Sequence, residues 1–220
     1  VVDSVTSAWD GYLDTANADW SVSSVLDLAK EAGSTNSTDR RLCRPVAGKI
    51  RACNSTYGNN GWLGLAQIWI SGNHITKGVA KMNDTYFNTA TYNTPAWRKL
   101  VMCQEIAHDF GLNHQDEIFD NANLGSCMDY TNDPDGTIKS QLSNEHPNQH
   151  DYDQLETIYA HLDSVKTIGR TIFSNGNHDD ATNVTEWGKS IRKDGKGRNS
   201  LYERDLGRGN KVFTFVLWVE

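Results

Sequence analysis

Apolar residues recur every three to four positions in three parts of the chain, which is the period of an amphipathic helix. The first part covers residues 2–16. The second begins at Thr94 and Pro95, which suit the cap and first position of a helix, and ends near Gly111, which tolerates a left-handed backbone. The third covers residues 151–162. The pattern therefore predicts three main helices.

Four other apolar segments have the character of β-strands, because they alternate with polar residues or are rich in β-branched and aromatic residues. They span residues 49–53, 62–70, 75–82 and 212–219. Two polar stretches, 33–41 and 113–149, are expected to be loops, and a loop as long as the second is usually functional. Helices and strands together predict an α+β fold.

Composition narrows the class of protein. The chain has 220 residues with seven Trp and eight Tyr, which argues against disorder. It contains no run of about 18 apolar residues, so we expect no membrane span. A net charge of −7 disfavours non-specific binding to nucleic acid, which needs a basic surface. The oligomeric state stays open.

The charge balance changes along the chain. Residues 1–162 are strongly acidic overall, whereas residues 163–220 are slightly basic. We therefore expect a main domain over 1–162 and a β-rich extension of unknown role over 163–220. Residues 189–211 carry eight basic and three acidic side chains. They form a solvated face, or they dock an acidic partner or the acidic half of this chain.

The cysteines indicate the compartment. The four cysteines form no Cys-x-x-Cys pair, and an even number at wide spacing suits two disulfides and an oxidising environment. The chain begins at Val1 without Met, which is typical of a processed or trimmed chain. We expect a secreted or periplasmic protein.

Residues 104–114 have the spacing of a catalytic metal site. Gln104 and His108 lie one helical turn apart, and Glu105 precedes His108 by three residues. Gly111 lets the chain turn sharply, so that His114 can return to the same point. Two imidazoles, a third donor and a carboxylate predict zinc with an open position for water. Zn²⁺ would lower the pKa of that water, and Glu105 would take its proton.

This segment resembles the zinc signature of the metzincin metalloproteases, His-Glu-x-x-His-x-x-Gly-x-x-His, with Gln104 at the first His position. Downstream, residues 126–130, Ser-Cys-Met-Asp-Tyr, are similar to the Met-turn of that family. Tyr130 resembles a Tyr of the astacin and serralysin branches, which ligates the metal or stabilises the transition state. The resemblance covers about residues 60–162, and more weakly 1–60.

The resemblance implies a twisted, mixed sheet, mainly parallel with one antiparallel edge strand, backed by two long helices, and a smaller helical part after Gly111 that ends in the C-terminal helix. It implies a secreted zinc endopeptidase in which Glu105 is the general base and Tyr130 stabilises the oxyanion. The implied metal ligands are Gln104, His108 and His114. A protein or peptide substrate would add a strand to the edge strand.

Gln104 leaves three interpretations open. Its amide oxygen can ligate zinc, although more weakly than an imidazole. The chain can instead be a catalytically silent binding module that keeps the cleft but not the metal. The residue can also be an introduced substitution. Tyr130 has an alternative as well, because it can simply stabilise the loop by a hydrogen bond.

With the resemblance in place, we expect a Cys103–Cys127 disulfide that joins the helix to the Met-turn, and a local Cys43–Cys53 disulfide. Four cysteines allow three connectivities, so the other pairings stay open. The acidic residues of 109–135 form a solvated loop, a weak Ca²⁺ site or a preference for basic substrates. Asp116 is a substitute metal ligand in case Gln104 does not bind.

Overall fold

A computed structural model describes residues 1–161 and 182–220 of the chain, so the expectations for residues 162–181 lie outside it. The helices are α1 (Ser7–Trp20), α2 (Ser37–Leu42), α3 (Asp84–Phe87), α4 (Pro95–His108) and α5 (Gln149–Ile158). The strands are β1 (Val2–Ser4), β2 (Glu31–Ala32), β3 (Ile50–Ser55), β4 (Trp62–Ser71), β5 (His74–Asn83), β6 (Lys189–Lys193), β7 (Asn199–Gly207) and β8 (Asn210–Trp218).

The strands form one mixed sheet of eight strands in the order β2-β1-β3-β5-β4-β8-β7-β6. The pairs β2-β1, β1-β3 and β3-β5 are parallel, whereas the pairs from β5 to β6 are antiparallel. The α+β class is confirmed. The predicted mainly parallel sheet with an antiparallel edge strand is wrong, because β4 lies inside the sheet between β5 and β8.

The second neighbour of β4 comes from the far end of the chain. Strand β8 pairs antiparallel with β4 from Trp62↔Trp218 to Ser71↔Asn210. Strands from both sides of the boundary expected near residue 162 therefore share one sheet. The apolar, β-branched sequence of 212–219, which predicts a strand, supplies the side chains that pack on both faces.

Most predicted elements are confirmed, with two corrections. The helix expected over residues 2–16 begins only at Ser7, because Val2–Ser4 pairs with both β2 and β3. Part of the loop expected over 33–41 is helical, since the Asn36 side chain accepts a hydrogen bond from the Thr38 amide and caps α2. Residues 109–148, all described, contain no helix or strand.

Helices α1 and α4 pack side by side on one face of the sheet. Trp9, Leu13 and Trp20 of α1 are fully buried there, and the Trp20 indole donates a hydrogen bond of 3.1 Å to the Cys103 carbonyl of α4. Burying an apolar side chain of Leu size stabilises a fold by about 1.5–3 kcal/mol. This packing holds α4, which carries the candidate site, firmly against the sheet.

Both expected disulfides are present, Cys43–Cys53 and Cys103–Cys127. The second joins α4 to the segment 126–130. The two bonds are compatible with an oxidising compartment. Among residues 1–161 and 182–220, no helix is both long and apolar enough to cross a membrane.

Candidate metal centre

Both ends of helix α4 show the capping residues that its sequence predicts. The Thr94 hydroxyl accepts a hydrogen bond from the Trp97 amide, and Pro95 occupies the first turn. The helix ends at His108, and Gly111 adopts a φ of 93°, which only glycine tolerates easily. This turn carries the chain back, so that His114 faces the end of the helix.

The two histidines meet through their Nε2 atoms. The distance between Nε2 of His108 and Nε2 of His114 is 2.9 Å. Nδ1 of His108 lies 2.7 Å from the Leu112 carbonyl oxygen, and Nδ1 of His114 lies 2.7 Å from a carboxylate oxygen of Glu117. Both outer partners are acceptors, so each Nδ1 must be the donor.

With both Nδ1 atoms turned to these outer acceptors, the two Nε2 atoms face each other at hydrogen-bond distance. Burial, together with the neighbouring His114, lowers the pKa of His108 well below its ordinary value, so this imidazole is neutral. Two imidazole nitrogens that face each other so closely share a proton in a hydrogen bond or bind a metal cation together. Two nitrogens bound at ~2.0–2.1 Å to one tetrahedral Zn²⁺ lie about 3.3 Å apart, so the two rings, now 2.9 Å apart at Nε2, would separate slightly to admit the ion.

Gln104 offers a third donor. Its side-chain amide donates a hydrogen bond of 3.0 Å to the Cys127 carbonyl, which fixes which end of the group is Nε2. Its Oε1 is buried and has no hydrogen-bond partner within the described parts of the chain. A buried acceptor without a partner costs roughly 1–3 kcal/mol. A metal ligated by Oε1 would remove that cost.

Glu105, the next residue on α4, has a carboxyl group without any hydrogen bond in the described parts of the chain. Both carboxyl oxygens are buried and find no partner among residues 1–161 and 182–220. Burial raises the pKa of Glu105 well above its ordinary value. The carboxyl lies against Gly64 of β4, where a Cβ atom would clash with it. An unpartnered carboxyl at this position suits a proton acceptor.

The donor types of Gln104, His108 and His114 suit a zinc ion. Gln104, His108 and His114 supply two nitrogens and an oxygen, and the outer partners Leu112 and Glu117 orient the rings, as is usual around bound zinc. The described residues contain no group of three or more His, Cys, Asp or Glu side chains arranged to hold a metal. The amide of Gln104 is therefore essential to this interpretation.

Tyr130 lies beside the histidines but its hydroxyl is engaged. The centroids of the Tyr130 and His114 rings are 4.5 Å apart in an edge-to-face arrangement. The hydroxyl donates a hydrogen bond of 3.1 Å to the Val216 carbonyl of β8. Burial raises the pKa of Tyr130 well above its ordinary value, so it is a neutral donor.

Three residues around the site were not predicted in these roles. The carboxylate of Glu117 accepts hydrogen bonds from His114 and, over 2.6 Å, from the Ser200 hydroxyl of β7. Arg192 of β6 lies 3.6 Å from the same carboxylate. Burial would raise the pKa of Glu117, but these three partners outweigh it and lower the pKa. The only local signal was the i,i+3 spacing of His114 and Glu117.

Asp116 does not join the histidines. One of its carboxylate oxygens accepts a hydrogen bond from the Ile118 amide and the other from Asn121. Further along the loop, the Asp133 carboxylate accepts from the amides of Ile138 and Lys139. These carboxylates accept hydrogen bonds from their own loop, and the Ca²⁺ site and the substitute ligand stay predictions.

The C-terminal strands cover the site. The Phe215 ring of β8 stacks on the imidazole of His108, with centroids 4.2 Å apart and planes 9° apart. The side chain of His114 is 2% exposed, and His108 is 1% exposed. In this conformation both imidazoles are shielded from solvent.

Comparisons of the chain with models of protein families, with curated proteins and with solved structures give no match. The functional inferences therefore rest on the sequence pattern and on the geometry of the site.

Proposed function

We propose that this chain is a zinc-dependent endopeptidase with Gln104, His108 and His114 as metal ligands. The observation that carries the proposal is the pair of Nε2 atoms 2.9 Å apart, with both Nδ1 atoms turned outward to acceptors. The unpartnered Oε1 of Gln104 supports it independently, because its position on α4 is one turn before His108. The resemblance of residues 104–114 and 126–130 to the metzincin signatures favours peptide-bond hydrolysis among metal-dependent reactions.

Each residue around the proposed metal would have a separate role in hydrolysis. Bound Zn²⁺ would lower the pKa of a water molecule and polarise a carbonyl group. The carboxylate of Glu105 would then be the group that accepts a proton from water and returns it to the leaving amine. The hydroxyl of Tyr130, a neutral donor, would turn from Val216 to the oxyanion of the substrate. Glu117 accepts a hydrogen bond from Nδ1 of His114 and so keeps this ring oriented with Nε2 toward the metal position.

A second candidate is a silent binding module that keeps the fold without hydrolysis. The cover over the site favours it, because Phe215 stacks directly on His108 and shields it. The amide ligand favours it as well, since a neutral oxygen binds zinc more weakly than an imidazole does. The two candidates differ in whether the zinc-loaded chain hydrolyses peptide bonds.

The experiment measures zinc stoichiometry by equilibrium dialysis and cleavage of unfolded casein with and without a chelator. We expect one zinc per chain and chelator-sensitive cleavage. Glu105→Ala should keep the zinc and lose cleavage, whereas His108→Ala should lose both. His146→Ala is the matched control, because this half-exposed His pairs with Asp19 and should change neither quantity.

Gln104→His tests the unusual ligand. We expect tighter zinc binding, because an imidazole replaces an amide oxygen. Zinc bound without cleavage by the wild type, followed by cleavage in this variant, would favour the silent module. A chain that binds no zinc at micromolar concentration would refute the proposed function altogether.

A further inference from the structure

Strand β8 lies where a substrate peptide would have to pair. Peptides that add to a sheet need a strand with one free edge. Strand β4 passes the site, because its Gly64 lies against the carboxyl of Glu105 on α4. The second edge of β4 is occupied by residues 210–218, which pair antiparallel with it. An added substrate strand and β8 therefore exclude each other.

The C-terminal strands also occupy the groups that a substrate would use. The Val216 carbonyl accepts the hydrogen bond of Tyr130, as a peptide carbonyl of a substrate would. The side chain of the preceding residue, Phe215, stacks on His108. Strand β8 thus offers the centre a backbone carbonyl and an adjacent apolar side chain, which is what a bound peptide presents.

Charge and hydrogen bonds hold this segment on the acidic loop. Arg192 donates a hydrogen bond of 3.2 Å to the side chain of Asn113 and lies near Glu117. The Gly195 amide donates to the Glu117 carbonyl over 2.8 Å, and Ser200 donates to the Glu117 carboxylate. The basic stretch 189–211 therefore docks on the acidic half of its own chain, one of the alternatives that the sequence leaves open.

We propose that β6–β8 form an intramolecular substrate mimic, and that the peptidase is closed until β8 leaves the edge of β4. This inference rests on the proposed function. It assigns residues 189–218 the role of an inhibitory segment, and it makes the departure of β8 a requirement for substrate binding.

A disulfide lock between β4 and β8 tests the inference. Gln67 and Thr214 are direct cross-strand partners joined by a side-chain hydrogen bond of 3.0 Å. Opposite residues of an antiparallel pair have Cα atoms about 4.5–5.5 Å apart, a distance that a disulfide spans. The double variant Gln67→Cys with Thr214→Cys is oxidised and compared with each single variant, which serves as the matched control.

We expect the locked chain to bind zinc like the controls while its cleavage of casein falls at least tenfold below theirs. Equal cleavage by the locked chain and the controls would overturn the inference. Zinc stoichiometry separates the two proposals. A chain without zinc refutes the proposed function and the inference with it, whereas zinc-loaded chains that ignore the lock refute the inference alone.

A second variant covers the case in which the closed wild type shows no measurable cleavage. Phe215→Ala removes the ring that stacks on His108 and should raise cleavage at least tenfold. Phe213→Ala, on the same face of β8, is the control and should change cleavage less than threefold. If the zinc-loaded Phe215→Ala chain stays inactive, β8 is not what closes the site.

Hydrogen exchange gives a readout that does not depend on turnover. The inactive Glu105→Ala chain is incubated with unfolded casein, and exchange of the amides of 210–218 is followed by mass spectrometry. We expect casein to accelerate their exchange in the unlocked chain and not in the locked one. Unchanged protection of these amides at saturating casein would contradict the replacement of β8 by a substrate strand.

Discussion

The two sides of the candidate metal centre are built differently. On the helix side, Gln104, Glu105 and His108 occupy little more than one turn of α4, and the outer partner of His108 is the carbonyl of Leu112, four residues away. On the strand side, Glu117 orients the ring of His114 by a hydrogen bond. Glu117 in turn accepts a hydrogen bond from Ser200, 83 residues further along the chain. The helix side is thus formed by residues close together in the sequence, whereas the strand side forms only when the complete sheet is assembled.

This difference has a physical consequence. The helix side is fixed by close packing, because the carboxyl of Glu105 lies directly on the backbone of β4 at Gly64. Close-packed sites have no room for added atoms. The strand side is fixed by hydrogen bonds among polar side chains. Such bonds are more sensitive to pH and to polar substitutions than close packing is. Three predictions test this contrast, beginning with the largest effect.

Gly64→Ala, on the helix side, should lower the free energy of unfolding most of the three variants. The added Cβ would lie 2.7 Å from Cγ1 of Val101 and closer still to Oε1 of Glu105, so α4 or β4 must move. Overpacking of a core typically costs 1–3 kcal/mol, and we expect about 3 kcal/mol or more here, because a buried carboxyl is displaced as well. Urea unfolding of the metal-free chain measures the free energy of unfolding.

Gly11→Ala is the control for this change. Gly11 lies inside α1, and no described atom comes within 4 Å of a Cβ built there. Alanine in a helix interior is favoured over glycine by roughly 0.5–1 kcal/mol, so this variant should be more stable than the wild type. Equal stabilities of the two variants would show that the contact of Gly64 with Glu105 does not constrain the site.

Asp129→Asn should change the pH dependence of stability through the loop that joins the two sides. Asp129 is buried and accepts hydrogen bonds from the Leu124 amide and the Asn144 side chain, but burial raises its pKa to about 6. The native state therefore holds this proton more tightly than the unfolded state. The stabilisation is complete below the ordinary pKa of 3.8 and is lost as the pH rises through 6.

The wild type should lose about 1–3 kcal/mol between pH 4 and pH 7 from this group, and Asp129→Asn should remove that loss. Denaturation of the metal-free chain at several pH values measures it. Asp135→Asn is a control of opposite sign, because hydrogen bonds from Thr137 lower the pKa of Asp135 and its contribution is lost as the pH falls. An unchanged slope for Asp129→Asn would contradict the burial argument.

The same contrast decides what could be predicted from the sequence. Helix α4 was predictable because its cap, its apolar period and its terminal glycine are local, and so was the spacing of Gln104, Glu105 and His108. The disulfide Cys103–Cys127 followed from the resemblance. The helix expected over residues 2–16 was placed too early, because Val2 belongs to a strand whose partners lie far along the chain.

The position of β4 in the sheet could not be predicted. Its apolar sequence suits an edge strand next to a cleft and an internal strand equally well, and its second neighbour begins about 140 residues later in the chain. The cover by Phe215 was missed for the same reason. Glu117 was one acidic residue among several, and only the sheet brings Ser200 to it and gives it a specific role.

Glu117→Ala should have the smallest effect of the three on stability, because it acts mainly on zinc affinity. Loss of an outer partner of a ligating His typically weakens metal binding 10–100-fold, which corresponds to about 1.4–2.8 kcal/mol. Ser200→Ala should weaken it less, because the carboxylate would still hold His114. Glu203→Ala is the control on the same strand, since Glu203 pairs with Lys211 and does not contact His114. Competition with a coloured chelator measures the affinities, and equal zinc affinity for Glu117→Ala and Glu203→Ala would show that the strand side does not orient the ligand.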